Sequence, residues 1–459
     1  MAKFDRQKRR MAPALRPLAL ALSLHFSAAL PAATIVVDDA SEGSVAGKCT
    51  LADAVSAVNT ATALNGCIAG DGNNDTIDLS GLPLPASITF SLPTSADGKS
   101  AVALTKPATL RGALDASHQP RVTLTRSAVS GTPNFRLIAS SADLSVDSVA
   151  ISGGSANGRG GAVYASGNAA LTVVAANISG NVTAGYSGGG VASYNGSITI
   201  TGSTLTGNVA SLSGGAVYTN GGDVTLSNSL VSGNHANAPR GGKYSHGGGG
   251  GVFSFNGAHL NAYGTTFSGN TAPHGYGGGI AVFHDAKLVN STIANNNAEQ
   301  EGGGAIIRGN LTMSFCTVAG NLSRYLGVGS AVVVNQTATV NGTISINNGY
   351  GPYNIDNFDA GTMLGSNNII APSFGSGTGN ACDTKLGPLA DNGGLTPTMA
   401  LYPGSCAINA GPTVLPAGVA VDQRGLPRMI GFAADVGAFE VQNAHDPPDV
   451  IFHDGFDAG

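Results

Sequence analysis

The chain has 459 residues, with 68 Gly, 42% apolar and only 11% charged residues, and a formal net charge of −5. The apolar share supplies material for a core and argues against the disorder that so much glycine would otherwise imply. Sparse, net acidic charge argues against nucleic acid as a partner, because phosphate recognition needs clustered Lys and Arg.

The first 16 residues carry Lys3, Arg6, Lys8, Arg9, Arg10 and Arg16 against Asp5 alone; an apolar run fills 18–30, and Pro31-Ala32-Ala33 follows. That order predicts a secretory signal peptide over 1–33, since the apolar run is too short to span a bilayer. Without it, 16 basic residues face 26 acidic ones, a charge of −10. No later segment reaches spanning length, so no transmembrane segment is expected in the mature chain. Five cysteines suit an oxidising compartment. They allow several pairings; nearness in sequence favours Cys49 with Cys67 and Cys382 with Cys406, leaving Cys316 as a small packed residue.

Residues 34–75 are read as an N-terminal cap, with Leu51, Ala54, Val55 and Val58 at helical spacing on one short amphipathic helix. Asp71-Gly-Asn73-Asn-Asp75 opens like a calcium loop but lacks the sixth-position glycine and the distal Glu, so a plain turn is expected. Short apolar runs at 76–79, 88–90, 102–104 and 122–124 then predict less regular first coils.

From 150 to 350 a repeat dominates. A mark of the Ser-Gly-Asn kind closes each unit at Gly153, Gly180, Gly207, Gly233, Gly269, Asn295, Gly320 and Asn347, in steps near 26 residues except for one enlarged unit between Gly233 and Gly269. A glycine pair or triplet stands within each unit, as at Gly188-Gly189-Gly190 and Gly214-Gly215. Three apolar columns recur: Ile151, Ile178, Leu205, Val231, Phe267, Ile293 and Val318; Val173, Ile200, Leu226, Ala262, Leu288 and Met313; Val163, Val191, Val217, Val252, Ile280 and Ala305. Three columns per unit mean three short strands whose inward side chains stack coil upon coil. The expected fold is therefore all-β, a right-handed parallel β-helix over 76–370. A column of Asn181, Asn208, Asn234, Asn270, Asn296, Asn321 and Asn348 is expected at tight left-handed turns, with amides bonded along the axis. Residues 371–441 form a C-terminal segment suited to closing the far end, and 442–459 a tail.

The repeats, such as Gly-Gly-Ala-Val at 214–217 and Phe-Ser-Gly-Asn at 267–270, resemble those of polymorphic outer-membrane proteins and other pectate-lyase-like β-helices. Residues 49–59 resemble the Cys-Ser-Leu-Arg-Glu-Ala motif that opens many exported bacterial β-helix proteins, with Ala52 and Asp53 replacing its Arg and Glu. Residues 386–394, 396–398, 403–405, 422–425 and 435–440 are similar to a choice-of-anchor C-terminal domain, and 451–457 to a short tail of secreted proteobacterial proteins. The resemblance implies an exported protein on the outer surface of a Gram-negative bacterium; it implies no single activity.

Alternation turns the neighbours of the third apolar column outward. Those positions hold Tyr164, Tyr218 and Phe253 in one file, and Tyr194, Phe255, Phe283 and Arg308 in the next. With His274 and Tyr276 on an adjoining loop, they are the expected ligand-binding residues. Arg240, Lys243 and His246 on the enlarged loop are the candidate catalytic set, since a lyase needs a base for the proton beside a uronate carboxyl and cations for the enolate. No metal site and no cofactor is expected. The leading functional expectation is a non-catalytic, adhesin-like binder of glycan or another surface polymer; the alternative is a lyase or hydrolase of acidic polysaccharide.

Overall fold

The computed structural model describes residues 32–239, 247–324, 331–349, 358–370 and 382–442. Residues 1–31 of the expected signal peptide, the enlarged loop at 240–246 and the tail from 443 lie outside them.

The described strands of 34–370 pair in parallel throughout and form a β-solenoid. Between Arg136 and Ser323 each coil turns through four strands, as in Val191–Tyr194, Ile198–Thr201, Thr204–Thr206 and Val209–Ala210. Successive second strands pair Leu171 with Ile198, Ile198 with Val224, Val224 with Leu260, Leu260 with Ala286 and Ala286 with Leu311. All three apolar columns are buried in one continuous core. Each fully buried Val, Leu or Ile contributes about 1.5–3 kcal/mol, which is the main force joining coil to coil. The two-residue fourth strand was not expected. It is too short to show alternation, and its inward residue is small: Ala156, Thr183, Ala210, Ala236, Ala272, Ala298 or Ser323.

The asparagine column lies wholly inside. The side-chain amide of Asn181 donates to Oδ1 of Asn208 at 3.0 Å, and the same bond continues through Asn234, Asn270, Asn296, Asn321 and Asn348 at 2.9–3.0 Å. Each amide from Asn208 to Asn348 also donates to a backbone carbonyl of the preceding coil. Buried amides so fully partnered stabilise the stack and fix its register. The left-handed residue is not the ladder asparagine, as the spacing had suggested, but the one before it: Gly180, Gly207, Asn295 and Asn347 have φ of 61°, 60°, 58° and 54°. The bend places the following amide inward, where it meets its neighbours instead of water.

The internal glycines mark contact between coils. A Cβ on Gly189 would fall 2.5 Å from the Gly215 carbonyl oxygen, so only glycine admits that backbone approach.

At the N-terminus, Thr34–Val36 already pairs with Asp75–Asp78, so the solenoid begins within the stretch assigned to the cap. Helix Leu51–Thr60 is capped by Thr50 and sends Leu51, Ala54, Val55, Ala57 and Val58 into the core. The Cys49–Cys67 disulfide brackets it. The Asp71–Asp75 stretch is a turn: Asp75 is buried, and its carboxylate accepts from the amides of Ala33, Asp71 and Gly72.

The C-terminal segment corrects an expectation. Residues 382–442 carry the Cys382–Cys406 disulfide and an antiparallel hairpin, Leu386–Ala390 with Thr398–Leu401. They lie along the flank made by the outer faces of the third strands, not across the end of the stack. Gln423 bonds both Thr266 and Thr292 at 2.7 Å, and the Ala438 amide donates to Thr317 at 3.0 Å. Leu401, Val436 and Phe439 cover the outward Ile344, Ile346 and Ile369. Covering three outward isoleucines removes a large apolar area from water.

A candidate ligand-binding cleft

The first strands present their outward residues in the two files expected from alternation. Pairing puts Tyr164, Ala192, Tyr218, Phe253, Ala281, Ile306 and Val333 in one file. The next runs Tyr194, Asn220 and Phe255. Phe283 continues it, its amide bonded to the Ser254 carbonyl, and Arg308 follows through the Val282 carbonyl. Tyr218 and Phe253 stack at 5.9 Å with planes 11° apart, and Phe255 meets Phe283 edge-on at 5.4 Å. Tyr218 and Phe253 are buried, whereas Tyr194 and Phe255 remain 40% and 42% exposed.

Tyr218, Phe253, Phe255 and Phe283 floor a cleft of about 430 Å³, with Tyr194 beyond its lining. Its walls come from three successive coils, Arg159 from the first, Tyr186 and Ser187 from the second and Leu212 and Ser213 from the third, with Gly247 beside them. The Arg159 guanidinium stands 5.5 Å from the Tyr194 ring centre and 5.9 Å from that of Tyr218, a cation–π arrangement that holds the cation at the rim. Burial pushes the Tyr218 hydroxyl above its ordinary range despite the neighbouring Arg159. Among the described residues, the lining holds no carboxylate, imidazole or amine. The described residues of the cleft therefore offer flat apolar faces and one cation.

The other expected residues lie elsewhere. Tyr164 is half-buried beneath Arg136, 5.2 Å from guanidinium carbon to ring centre. Arg136 is itself buried and bonds the Arg159 carbonyl at 3.1 Å, which braces the loop bearing the rim cation. Tyr276 packs against the aromatic file with Arg308 over its ring at 5.3 Å, and Arg308 also reaches Glu301 at 3.5 Å. His274 bonds Glu299 at 2.8 Å. A second hollow, about 270 Å³, is lined by His235, Thr271, Pro273, Asn297, Glu299 and Arg324, and it shares no lining residue with the aromatic cleft. Arg240, Lys243 and His246 lie outside the described residues. Cys316 is buried and its thiol is pushed up to about 12 by burial, so it is no nucleophile.

Sequence reasoning places Arg159 among the loops entering the first strands but missed Arg136, the group that braces that loop. Arg159 directly precedes the Gly160-Gly161 pair, and that adjacency to the aromatic files is its signal.

No family model matches the chain, and no curated protein matches it. Among solved structures, the crystal structure of pectate lyase Pel9A aligns with a TM-score of 0.44 and 14% identity, over 89% of this chain and 97% of that one. A likeness at that level says nothing about activity.

Proposed function

We propose that this protein is an exported β-solenoid that binds a polysaccharide or a similar surface polymer in the aromatic cleft without turning it over. The observation that carries this reading is the cleft floor: Tyr218, Phe253, Phe255 and Phe283 beside Arg159, with no acid–base pair among the described lining residues. Sugar rings present C–H faces that stack on aromatic side chains, and a rim guanidinium suits the hydroxyls or carboxylates of an acidic polymer. Repetition along the axis suits a chain-like ligand, since successive coils repeat the same surface. Export is supported by the basic, apolar and small-residue order of 1–33 and by the two disulfides.

A lyase or hydrolase is the competing reading, favoured by the His274–Glu299 pair. One experiment separates the two. The mature chain is titrated with uronate and neutral polysaccharides while binding and ultraviolet absorbance are followed together. Saturable binding that weakens at least about tenfold in Tyr194→Ala/Phe255→Ala, at constant absorbance, is expected; two lost stacking contacts amount to that much. Growth of the unsaturated product, abolished by His274→Ala, would replace binding with elimination as the function.

A further inference from the structure

We propose that His259, His284 and Asp285 form a site for a first-row transition-metal ion of the zinc class, linking two successive coils on the side of the solenoid. His259 immediately precedes strand Leu260–Tyr263, and Asp285 immediately precedes Ala286–Val289. The two strands pair Leu260 with Ala286, so His259 and Asp285 occupy the same position in adjacent coils, with His284 one residue earlier. The Nδ1 atoms of His259 and His284 face each other at 3.3 Å, with the rings 74° apart. Oδ2 of Asp285 lies 3.8 Å from Nδ1 of His284, and the three ligand atoms all fall within 4.8 Å of one another.

Metal–nitrogen distances of about 2.0–2.1 Å in a tetrahedron separate two ligating nitrogens by about 3.3–3.4 Å. The imidazole pair already stands at that spacing, and rotation of one half-exposed carboxylate closes the third position. Two imidazole nitrogens facing each other can share only one proton, whereas a cation uses both lone pairs at once.

The carboxylate is held for this task. Oδ1 of Asp285 accepts from the Asn310 amide at 2.7 Å and from its side chain at 3.2 Å, which leaves Oδ2 turned toward the imidazoles. One coil earlier, Oδ1 of Asp223 accepts the His259 amide at 2.8 Å and fixes the backbone that carries the first imidazole. Asp223, His259 and Asp285 share a hollow of about 240 Å³ with Lys287, whose ammonium lies over the Tyr263 ring at 5.7 Å. Two carboxylates against one amine leave the hollow favourable to a cation. Two imidazoles with one carboxylate select zinc, cobalt, nickel or copper ahead of calcium or magnesium, which take oxygen ligands. Three protein ligands leave a fourth position for water.

The test uses the mature chain without a histidine tag, treated with chelator and titrated with Co²⁺. One equivalent producing visible d–d bands, displaced by Zn²⁺, is expected for the wild type and for His274→Ala. The bands are expected to vanish in His284→Ala and in His259→Gln, and a Zn²⁺-induced rise in Tm is expected to vanish with them. Metal-free melting curves of these variants matching the wild type establish that folding is intact. Absence of d–d bands in the wild type, or bands unchanged in His284→Ala, would overturn the assignment.

Discussion

Among the described residues, two apolar outer faces of the solenoid end differently. On the flank, Ile344, Ile346 and Ile369 disappear beneath residues 382–442. On the face made by the first strands, Tyr194 and Phe255 stay about two-fifths exposed beside a cleft, and the described C-terminal residues do not line it. The covered face shows how this chain treats apolar surface that has only a structural role: it buries it and locks the cover with charge. Arg428 is fully buried, donates to the carbonyls of Gly437 and Ala438 and to Asn290 of the solenoid, and lies 4.7 Å over the Phe315 ring. Arg424 pairs with Asp422 at 2.9 Å and stacks on Phe439 at 3.7 Å. The Asp-Gln-Arg-Gly and Asp-Val-Gly-Ala-Phe-Glu stretches are thus a clasp. Among the described residues, the face made by the first strands has no such lock.

The largest effect should come from opening the clasp. Arg428→Ala leaves Glu440 and Asp422 buried without that cation and should cost about 3–5 kcal/mol, seen as early loss of hydrogen-exchange protection across 382–442. Retention of that protection would show that the flank is held by apolar contact alone.

A smaller effect should follow pH. Burial, with Asp435 beside it, raises the Glu440 carboxyl to about 7 from an ordinary 4.5. Between those values the native chain keeps a proton that the unfolded chain has released, so stability is full below the window and falls as pH rises through it. Thermal melts from pH 4 to 8 should show that decline, and Glu440→Gln should flatten it.

The smallest effect on folding belongs to the open face. Phe255→Ala should change stability by less than about 1 kcal/mol in denaturant titration, because the ring is already partly in water. A loss as large as that of Arg428→Ala would make the aromatic face structural and erase the contrast.

Much of this was legible in the sequence. The three core columns were, because each inward residue returns once per turn among residues of opposite polarity. The outward aromatic files followed from the same alternation. The loops walling the cleft were legible too, since Arg159, Tyr186 and Leu212 return at the repeat's own step ahead of the glycine pairs, but their differing residue types did not announce a cleft. The flank cover left one trace: third strands elsewhere read like Thr317–Ala319, apolar at the centre, whereas Ile344–Ile346 reads Ile-Ser-Ile. That inversion puts isoleucine outward and marks a face that must be covered. His259 and Asp285 both stand ten positions before the closing marks Gly269 and Asn295, yet they escaped notice because the column mixes residue types and His284 lies one position outside it.

One rung of the buried amide ladder carries a wider consequence. Asn234 and Asn270 are 36 residues apart, against 25–27 for the other rungs, yet their bond is 2.9 Å like the rest. Axial rise is therefore uncoupled from the length of chain spent on a turn. Segments can be lengthened, exchanged or grafted between rungs while the shaft keeps its spacing, so the periphery is free to diversify around a core that does not record the change.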